Sequence, residues 1–278
     1  MIIFDNVWFK YSDGDYVLKN INTTIKEGEI VCILGDNGAG KTTLLKHING
    51  LLKPTKGEVY VDELNTKEAS VSDLAKKVAL VFQYPERMFF TESVWKEVEF
   101  ALANFGFEED IRAHRIRKVL NMFWLWEYKD SSPFTLSGGE QRRLAIAIVL
   151  AWDPRYVVLD EPTAGQDGFQ REILIDMIRN IVHREKTIIL ATHDIEFVFE
   201  LPECRIITLN KGEIIYDGSS VELFNNYPEL LIEAGLEPPS LSKLIQTLRM
   251  QGKHVVFKNY DDAVDKIYNL IKRGEYNK

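Results

Sequence analysis

The sequence predicts an α/β fold: an alternating strand–helix core with an N-terminal antiparallel β-subdomain, an inserted helical subdomain and a small α-rich C-terminal extension. Three observations predict it. Glu29-Ile30-Val31-Cys32-Ile33-Leu34 and Tyr156-Val157-Val158-Leu159 are apolar runs of strand length, as expected for strands buried on both faces. Between Tyr84 and Ala151 the apolar residues recur at helical spacing instead, as in a helical subdomain set into an α/β core. From Tyr227 onward the pattern changes again, with Pro238-Pro239 separating what precedes from two further helical stretches. The expected division is a core domain over 1–226, its helical subdomain at about 84–151, and an assembly extension over 227–278.

Ile2-Ile3-Phe4 and Val7-Trp8-Phe9 read as short strand segments, followed by a turn at Ser12-Asp13-Gly14-Asp15 and a return run from Tyr16 to Ile25. After the buried strand that ends at Leu34 comes a glycine-rich turn. A helix from Lys41 to Ile48 follows, stopped by Asn49-Gly50. Further strands are expected at Glu58 to Val61, Val78 to Phe82, Tyr156 to Asp160, Thr187 to Ala191 and Cys204 to Leu209. Helices are expected at Ser93 to Asn104, Ile111 to Trp124, Gly138 to Leu150, Leu241 to Met250 and Tyr260 to Arg273. No internal repeat or low-complexity segment interrupts this order.

Composition narrows the function classes. A chain of 278 residues, 45% hydrophobic and 27% charged, buries one substantial core. Its longest apolar stretch, Leu144 to Trp152, is too short to span a bilayer, and no secretion signal is expected at Met1-Ile2-Ile3-Phe4-Asp5. The net charge of -8 argues against nucleic acid as a partner. Cys32 and Cys204 stand isolated in apolar surroundings, which favours buried free thiols in a reducing cytoplasm.

Gly35-Asp36-Asn37-Gly38-Ala39-Gly40-Lys41-Thr42 matches G-x-x-x-x-G-K-[ST] between a buried strand and a helix. Such glycines let successive backbone N–H groups turn inward around a phosphate, at the positive end of the helix. Lys41 would lie between the β- and γ-phosphates of ATP, Thr42 would ligate Mg²⁺, and Thr43 completes the loop. This is the pattern of a P-loop NTPase core.

Tyr156 to Leu159 deliver two carboxylates, Asp160 and Glu161, to a strand end. Alternation sends them different ways, so Asp160 would hold Mg²⁺ through water while Glu161 polarises the attacking water. A solvated strand end would also carry an Asp-Glu pair; the P-loop in the same chain is what favours the functional reading.

Leu136-Ser137-Gly138-Gly139-Glu140-Gln141-Arg142-Arg143 opens an apolar helix. Ser137 with Glu140 is a capping box, and the two glycines add an approach to the backbone N–H groups that capping alone does not need. The segment resembles the signature motif of ATP-binding cassette (ABC) proteins. The resemblance covers nearly the whole core in the family's order. Tyr11 resembles the aromatic that stacks on adenine, and Gln83 resembles the Q-loop glutamine that reaches Mg²⁺ and water. Ala164-Gly165-Gln166-Asp167 resembles the D-loop, with Gln166 where leucine is usual, and His193 resembles the switch histidine that contacts the γ-phosphate. The family implies that the signature of one subunit completes the ATP site on the P-loop of another. This chain would then need a second ABC ATPase subunit, as a homodimer or with a paralogue.

Ser132-Pro133-Phe134-Thr135, Phe82-Gln83-Tyr84-Pro85-Glu86 and the tail Ala234-Gly235-Leu236-Glu237-Pro238-Pro239-Ser240 resemble the ATPases of energy-coupling factor (ECF) importers. Asp36, Met88 and Gln166 depart from that branch. It implies a transmembrane coupling subunit, a substrate-binding membrane protein, uptake of a vitamin or transition-metal ion, and a place on the cytoplasmic face of the cell membrane. The docking groove would lie along Tyr84 to Trp95, with Glu86 and Glu92 receiving basic side chains. A soluble ABC ATPase, for example of the iron–sulfur cluster assembly type, is the competing reading.

Overall fold

A six-stranded sheet and a four-stranded sheet form the framework of the computed structural model, which describes residues 1–12, 14–182 and 186–272. Asp13 and Arg273, placed by the sequence in a turn and a helix end, lie outside the described residues, as does the side chain of Glu86.

The smaller sheet is antiparallel: β1 (Ile2–Lys10), β2 (Tyr16–Ile25), β4 (Lys56–Val61) and β5 (Leu64–Asn65), in the order β2-β1-β4-β5. In the larger sheet β3 (Ile30–Leu34), β6 (Val78–Val81), β7 (Tyr156–Asp160), β8 (Thr187–Thr192) and β9 (Arg205–Asn210) run parallel. β10 (Glu213–Ser219) closes one edge antiparallel to β9, giving the order β10-β9-β3-β8-β7-β6. β3, β7 and β8 are buried along their whole length, which explains why they read as unbroken apolar runs.

The alternation of side chains divides this sheet between two cores. Val31 and Ile33 of β3, with Tyr156 and Val158 of β7, join β1, β2, β4 and the inner face of α1 (Lys41–Ile48). Cys32 and Leu34, with Val157 and Leu159, face the helical side. There α3 (Val94–Asn104), α4 (Glu109–Met122), α5 (Gly138–Leu150) and α6 (Gly168–Val182) cover the sheet.

After α7 (Ile195–Glu200) and β9–β10 the chain enters α8 (Ser220–Asn226), α9 (Pro228–Glu233), α10 (Ser240–Met250) and α11 (Tyr260–Lys272). Leu231, Ile245, Leu248, Phe257 and Ala263 of this stretch belong to the same core as the helical side. Asn225 ties it further, its Nδ2 donating to Phe257 O at 2.8 Å and its Oδ1 accepting from Phe257 N at 2.9 Å.

The structure adjusts several expectations. α4 starts at Glu109 and ends at Met122, because Trp124 takes a left-handed φ of 53° that a helix cannot continue through. α6, α7, β10 and the seven-residue α2 (Val71–Lys77) carry no strong signal in the sequence; α2 buries a single residue, Leu74. The two cysteines are free and buried as expected but not isolated. β3 and β9 are neighbours, Cys32 registers with Ile206, and the sulfurs of Cys32 and Cys204 approach to 3.6 Å. The Cys204 contact, with burial, pushes the Cys32 thiol well above its ordinary value.

Candidate functional site

Because β8 lies between β3 and β7, the carboxyl ends of three parallel strands stand side by side, where open α/β sheets bind ligands. Leu34 registers with Thr192, and Asp160 with Ala191. The glycine-rich loop, the acidic pair and His193 therefore meet at one edge.

The loop leaves β3 through Gly35, whose φ is 156°; a Cβ there would sit 2.6 Å from the Leu209 carbonyl oxygen. Asp36 accepts the Asn37 N–H on its own side chain at 2.6 Å, and its carbonyl accepts the Ala39 N–H at 3.1 Å. Gly40, left-handed, caps α1 and its carbonyl accepts the first helical bond from Leu44. Lys41 opens that helix with a buried side chain. Its Nζ donates to the carbonyls of Gly35 at 2.8 Å and Asp36 at 3.2 Å, and pairs with Glu161 Oε1 at 3.2 Å. Thr42 Oγ1 donates between the two carboxylate oxygens of Asp160, at 2.9 and 3.0 Å. Burial pushes the Asp160 carboxyl above its ordinary value, opposed by that hydroxyl.

Glu161 follows with a φ of 47°, a conformation that costs an ordinary side chain about 1–2 kcal/mol. Its N–H is held by the Ala191 carbonyl at 2.7 Å, and its Oε2 meets His193 Nδ1 at 3.0 Å. The carboxylate is thus buried between a lysine and a histidine, with the half-exposed histidine on the open side. Tyr11, just beyond β1, is exposed rather than in the core. Its hydroxyl bonds Thr43 Oγ1 at 3.1 Å and its ring stands edge-on to Phe9, 4.8 Å between centroids.

The signature residues lie elsewhere. Ser137 Oγ accepts the Glu140 N–H, and Glu140 Oε2 accepts from Ser137 N and Oγ, both at 2.8 Å, which completes the capping box. Ser137, Gly138 and Gly139 line a cavity of about 580 Å³ together with Gln83 and the Gly165–Gln166 turn; among the described residues no part of the glycine-rich loop lines it. Gly138 has open space where a Cβ would stand. Gly139 does not: its bare Cα accommodates the Gln170 amide, 2.2 Å from the position of a Cβ. The missing side chain thus leaves open space at Gly138 and room for Gln170 at Gly139. Gln83, expected with Thr42 and Asp160, is placed in this second cavity.

Arg142 connects the two clusters, and the sequence reading gave it no role. From the buried face of α5 it donates to the carbonyls of Gln83 at 3.2 Å, Glu161 at 3.3 Å and Pro162. The available signal was a charged residue on the apolar side of an otherwise well-patterned helix. Glu97, also buried, accepts the N–H groups of Phe90 and Thr91, each at 2.6 Å. This orders the segment after Gln83, where Tyr84, Phe90 and Phe100 are exposed and Phe90 stands edge-on to Phe100. Glu92, expected to receive a basic partner, is already paired with Lys96 one turn on.

The family model for ABC transporters matches residues 18–164. The energy-coupling factor transporter ATP-binding protein EcfA2 of Clostridium perfringens is 44% identical over 86% of this chain and 85% of its own. The solved structure of cbiO1 from Clostridium perfringens, described as part of the ABC transporter complex cbiONQ, superposes with a TM-score of 0.75 at 32% identity. It covers 88% of this chain and 98% of that one. The ATP-binding cassette MJ0796, solved as a dimer in a post-hydrolysis state with ADP and Pi, matches at 34% identity, with a TM-score of 0.69. It covers 78% of this chain and 97% of that one.

Proposed function

The chain belongs to the ABC transporter family of ATP-binding proteins, and from that premise we propose that it is the ATP-hydrolysing subunit of an ECF-type importer. Closure of two cassettes on ATP, and their opening after hydrolysis, would drive uptake of a vitamin or transition-metal ion. One observation carries the paired-cassette part of this reading, while the importer part is supported by the likeness to EcfA2: the glycine-rich loop, Asp160-Glu161 and His193 share one edge of the sheet, and the signature serine and glycines line a different cavity. Each chain then presents two unlike half-sites, and two chains apposed head to tail make two whole ones.

In this reading Gly35 to Gly40 wrap the phosphates with backbone N–H groups, and Lys41 moves from the loop carbonyls and Glu161 to the β- and γ-phosphates. Tyr11 supports the adenine. Thr42 and Asp160 converge as a hydroxyl and a carboxylate, hard oxygen donors that fit Mg²⁺. When bound, the ion would neutralise charge on the phosphates; Gln83, which lines the signature cavity here, would have to turn towards the ion and the attacking water to serve them. Glu161 orients that water and accepts its proton, and His193 steadies Glu161 and meets the γ-phosphate. Ser137, Gly138, Gly139 and Glu140 of the partner close the phosphate from the other side.

The exposed aromatics, Tyr84 next to Gln83 and the edge-on pair Phe90 and Phe100, support docking on a transmembrane coupling subunit, which would hold the chain peripherally at the cytoplasmic face of the membrane. Among the described residues no helix is long and apolar enough to cross a membrane. Residues 227–278 serve assembly: Val264, Tyr268 and Ile271 form an exposed apolar stripe on α11 at helical spacing. A substrate-binding membrane protein would complete the complex. The test is purification of the full chain from its native membranes in mild detergent. Integral membrane partners are expected; recovery with soluble partners alone overturns the importer reading and favours a soluble ABC ATPase.

A further inference from the structure

The C-terminal extension touches both elements that handle the γ-phosphate end of the site. Asp36 of the glycine-rich loop donates its N–H to the Ala234 carbonyl at 3.3 Å. Gly235 follows at a φ of 77°, and a Cβ there would stand 3.1 Å from two Asp36 side-chain atoms. The second contact is more direct. Glu196, three residues after His193, accepts on Oε1 from the Ser240 N–H at 2.9 Å and the Ser240 hydroxyl at 2.7 Å, and on Oε2 from the Tyr260 hydroxyl. One carboxylate thereby gathers the first residues of both α10 and α11.

α7 has only six residues, too few to hold a helix without tertiary support. Its start is fixed by Asp194, whose side chain accepts the Phe197 N–H at 3.1 Å and is paired with Arg171 of α6. Further support comes from the later part of the chain. Phe199 stands edge-on to Phe224 of α8 and to Tyr260 of α11, at 5.4 and 5.1 Å between centroids. His193 immediately precedes the Asp194 cap, so a shift of α7 carries the imidazole with it. A cavity of about 500 Å³, lined by His193, Glu196, Glu237, Ser240 and Lys243, leaves the histidine without packing on that side.

We infer that Glu196 is a positioning residue for ATP hydrolysis, through which the seating of the C-terminal extension sets the position of His193 against Glu161. This rests on the assignment of His193 to hydrolysis made above. The consequence is that the extension, besides serving assembly, reports its own docking to the reacting end of the nucleotide site.

The experiment measures kcat and KM for ATP hydrolysis, and nucleotide affinity, on the full chain. The variants are Glu196→Ala, Glu196→Gln, Tyr260→Phe and His193→Ala, with Glu196→Ala and Tyr260→Phe also made on the His193→Ala background. Glu196→Ala is expected to lower kcat about tenfold at unchanged nucleotide affinity, the scale of a small misplacement of a reacting group. Tyr260→Phe, which removes one hydroxyl from a retained ring, and Glu196→Gln, which retains an oxygen acceptor, lower kcat less. Neither double variant loses more than His193→Ala alone, as expected for one pathway. Unchanged kcat in Tyr260→Phe and Glu196→Gln overturns the inference even if Glu196→Ala fails to fold. So does a loss that persists in full without His193, or one that falls equally on nucleotide affinity. If His193→Ala itself hydrolyses ATP normally, the assignment of His193 fails as well, which separates the two failures.

Discussion

Lys41 Nζ stands 3.2 Å from Glu161 Oε1, so the phosphate loop and the acidic strand end are joined by an ion pair whose two side chains are almost fully buried. Substitution of Glu161 by Gln removes the charge, and with it the proposed proton acceptor, while retaining shape. The variant is expected to bind ATP and accumulate as a nucleotide-held dimer, with hydrolysis reduced about 100-fold or more. Phosphate release and light scattering measure the two. Near-normal turnover would remove Glu161 from the role of base.

Arg142 offers a second separation of effects. Its guanidinium satisfies backbone carbonyls of Gln83, Glu161 and Pro162 inside the protein. Arg142→Ala leaves them without that donor and is expected to cost about 3 kcal/mol of stability in denaturant titration. Arg142→Lys should recover only part of this, since an ammonium lacks the planar fork that spans several acceptors. Equal stability of the lysine variant and the parent would show that charge alone suffices.

His47 ties stability to pH. It is buried under Phe9, its Nδ1 is 2.7 Å from the Thr43 carbonyl oxygen, and its Nε2 has no partner among the described residues. Burial lowers its pKa from 6.5 to about 4, against the backbone contact. Between those values the unfolded chain binds the extra proton, so stability is full above 6.5 and falls as pH drops towards 4. The loss is about 3 kcal/mol at most. Urea unfolding of the parent and His47→Gln across pH 7.5 to 4.5 checks the sign: the variant should show a shallower decline, and parallel curves would refute it.

Glu97 holds a loop rather than a reactant. Its carboxylate accepts two backbone N–H groups, from Phe90 and Thr91. Glu97→Ala is expected to cost about 2–3 kcal/mol and to speed hydrogen exchange at those two amides. It should also weaken capture of membrane partners, because Phe90 and Phe100 lose their fixed presentation. Unaltered exchange at Phe90 and Thr91 would show that the loop is held by other contacts.

Which features could be read from the chain follows from their range. The glycine-rich loop, the helix Lys41–Ile48, the Ser137–Glu140 capping box and the strand ending in Asp160 are each specified within about a dozen residues, and they stand where the sequence puts them. Features created by adjacency between distant segments left little local trace. Cys32 meets Cys204 only because β9 is laid beside β3, and Arg142 finds its acceptors only because α5 crosses the ends of β6 and β7. Gly139 was legible as a glycine, but its contact with Gln170 was not. The short α2 and α7 were missed because seven and six residues are too few to display a helical repeat.

The separate cavity that holds Ser137, Gly138 and Gly139 has a genetic consequence. Take one chain disabled by Glu161→Gln and another disabled by Gly138→Asp. In a head-to-tail pair of two copies of this chain, as proposed above, each is expected to be inactive with copies of itself. When they are mixed, one of the two composite sites inherits both lesions and the other inherits neither. Two dead alleles would therefore complement, with activity following the fraction of mixed pairs, whereas a chain carrying both lesions would rescue neither parent.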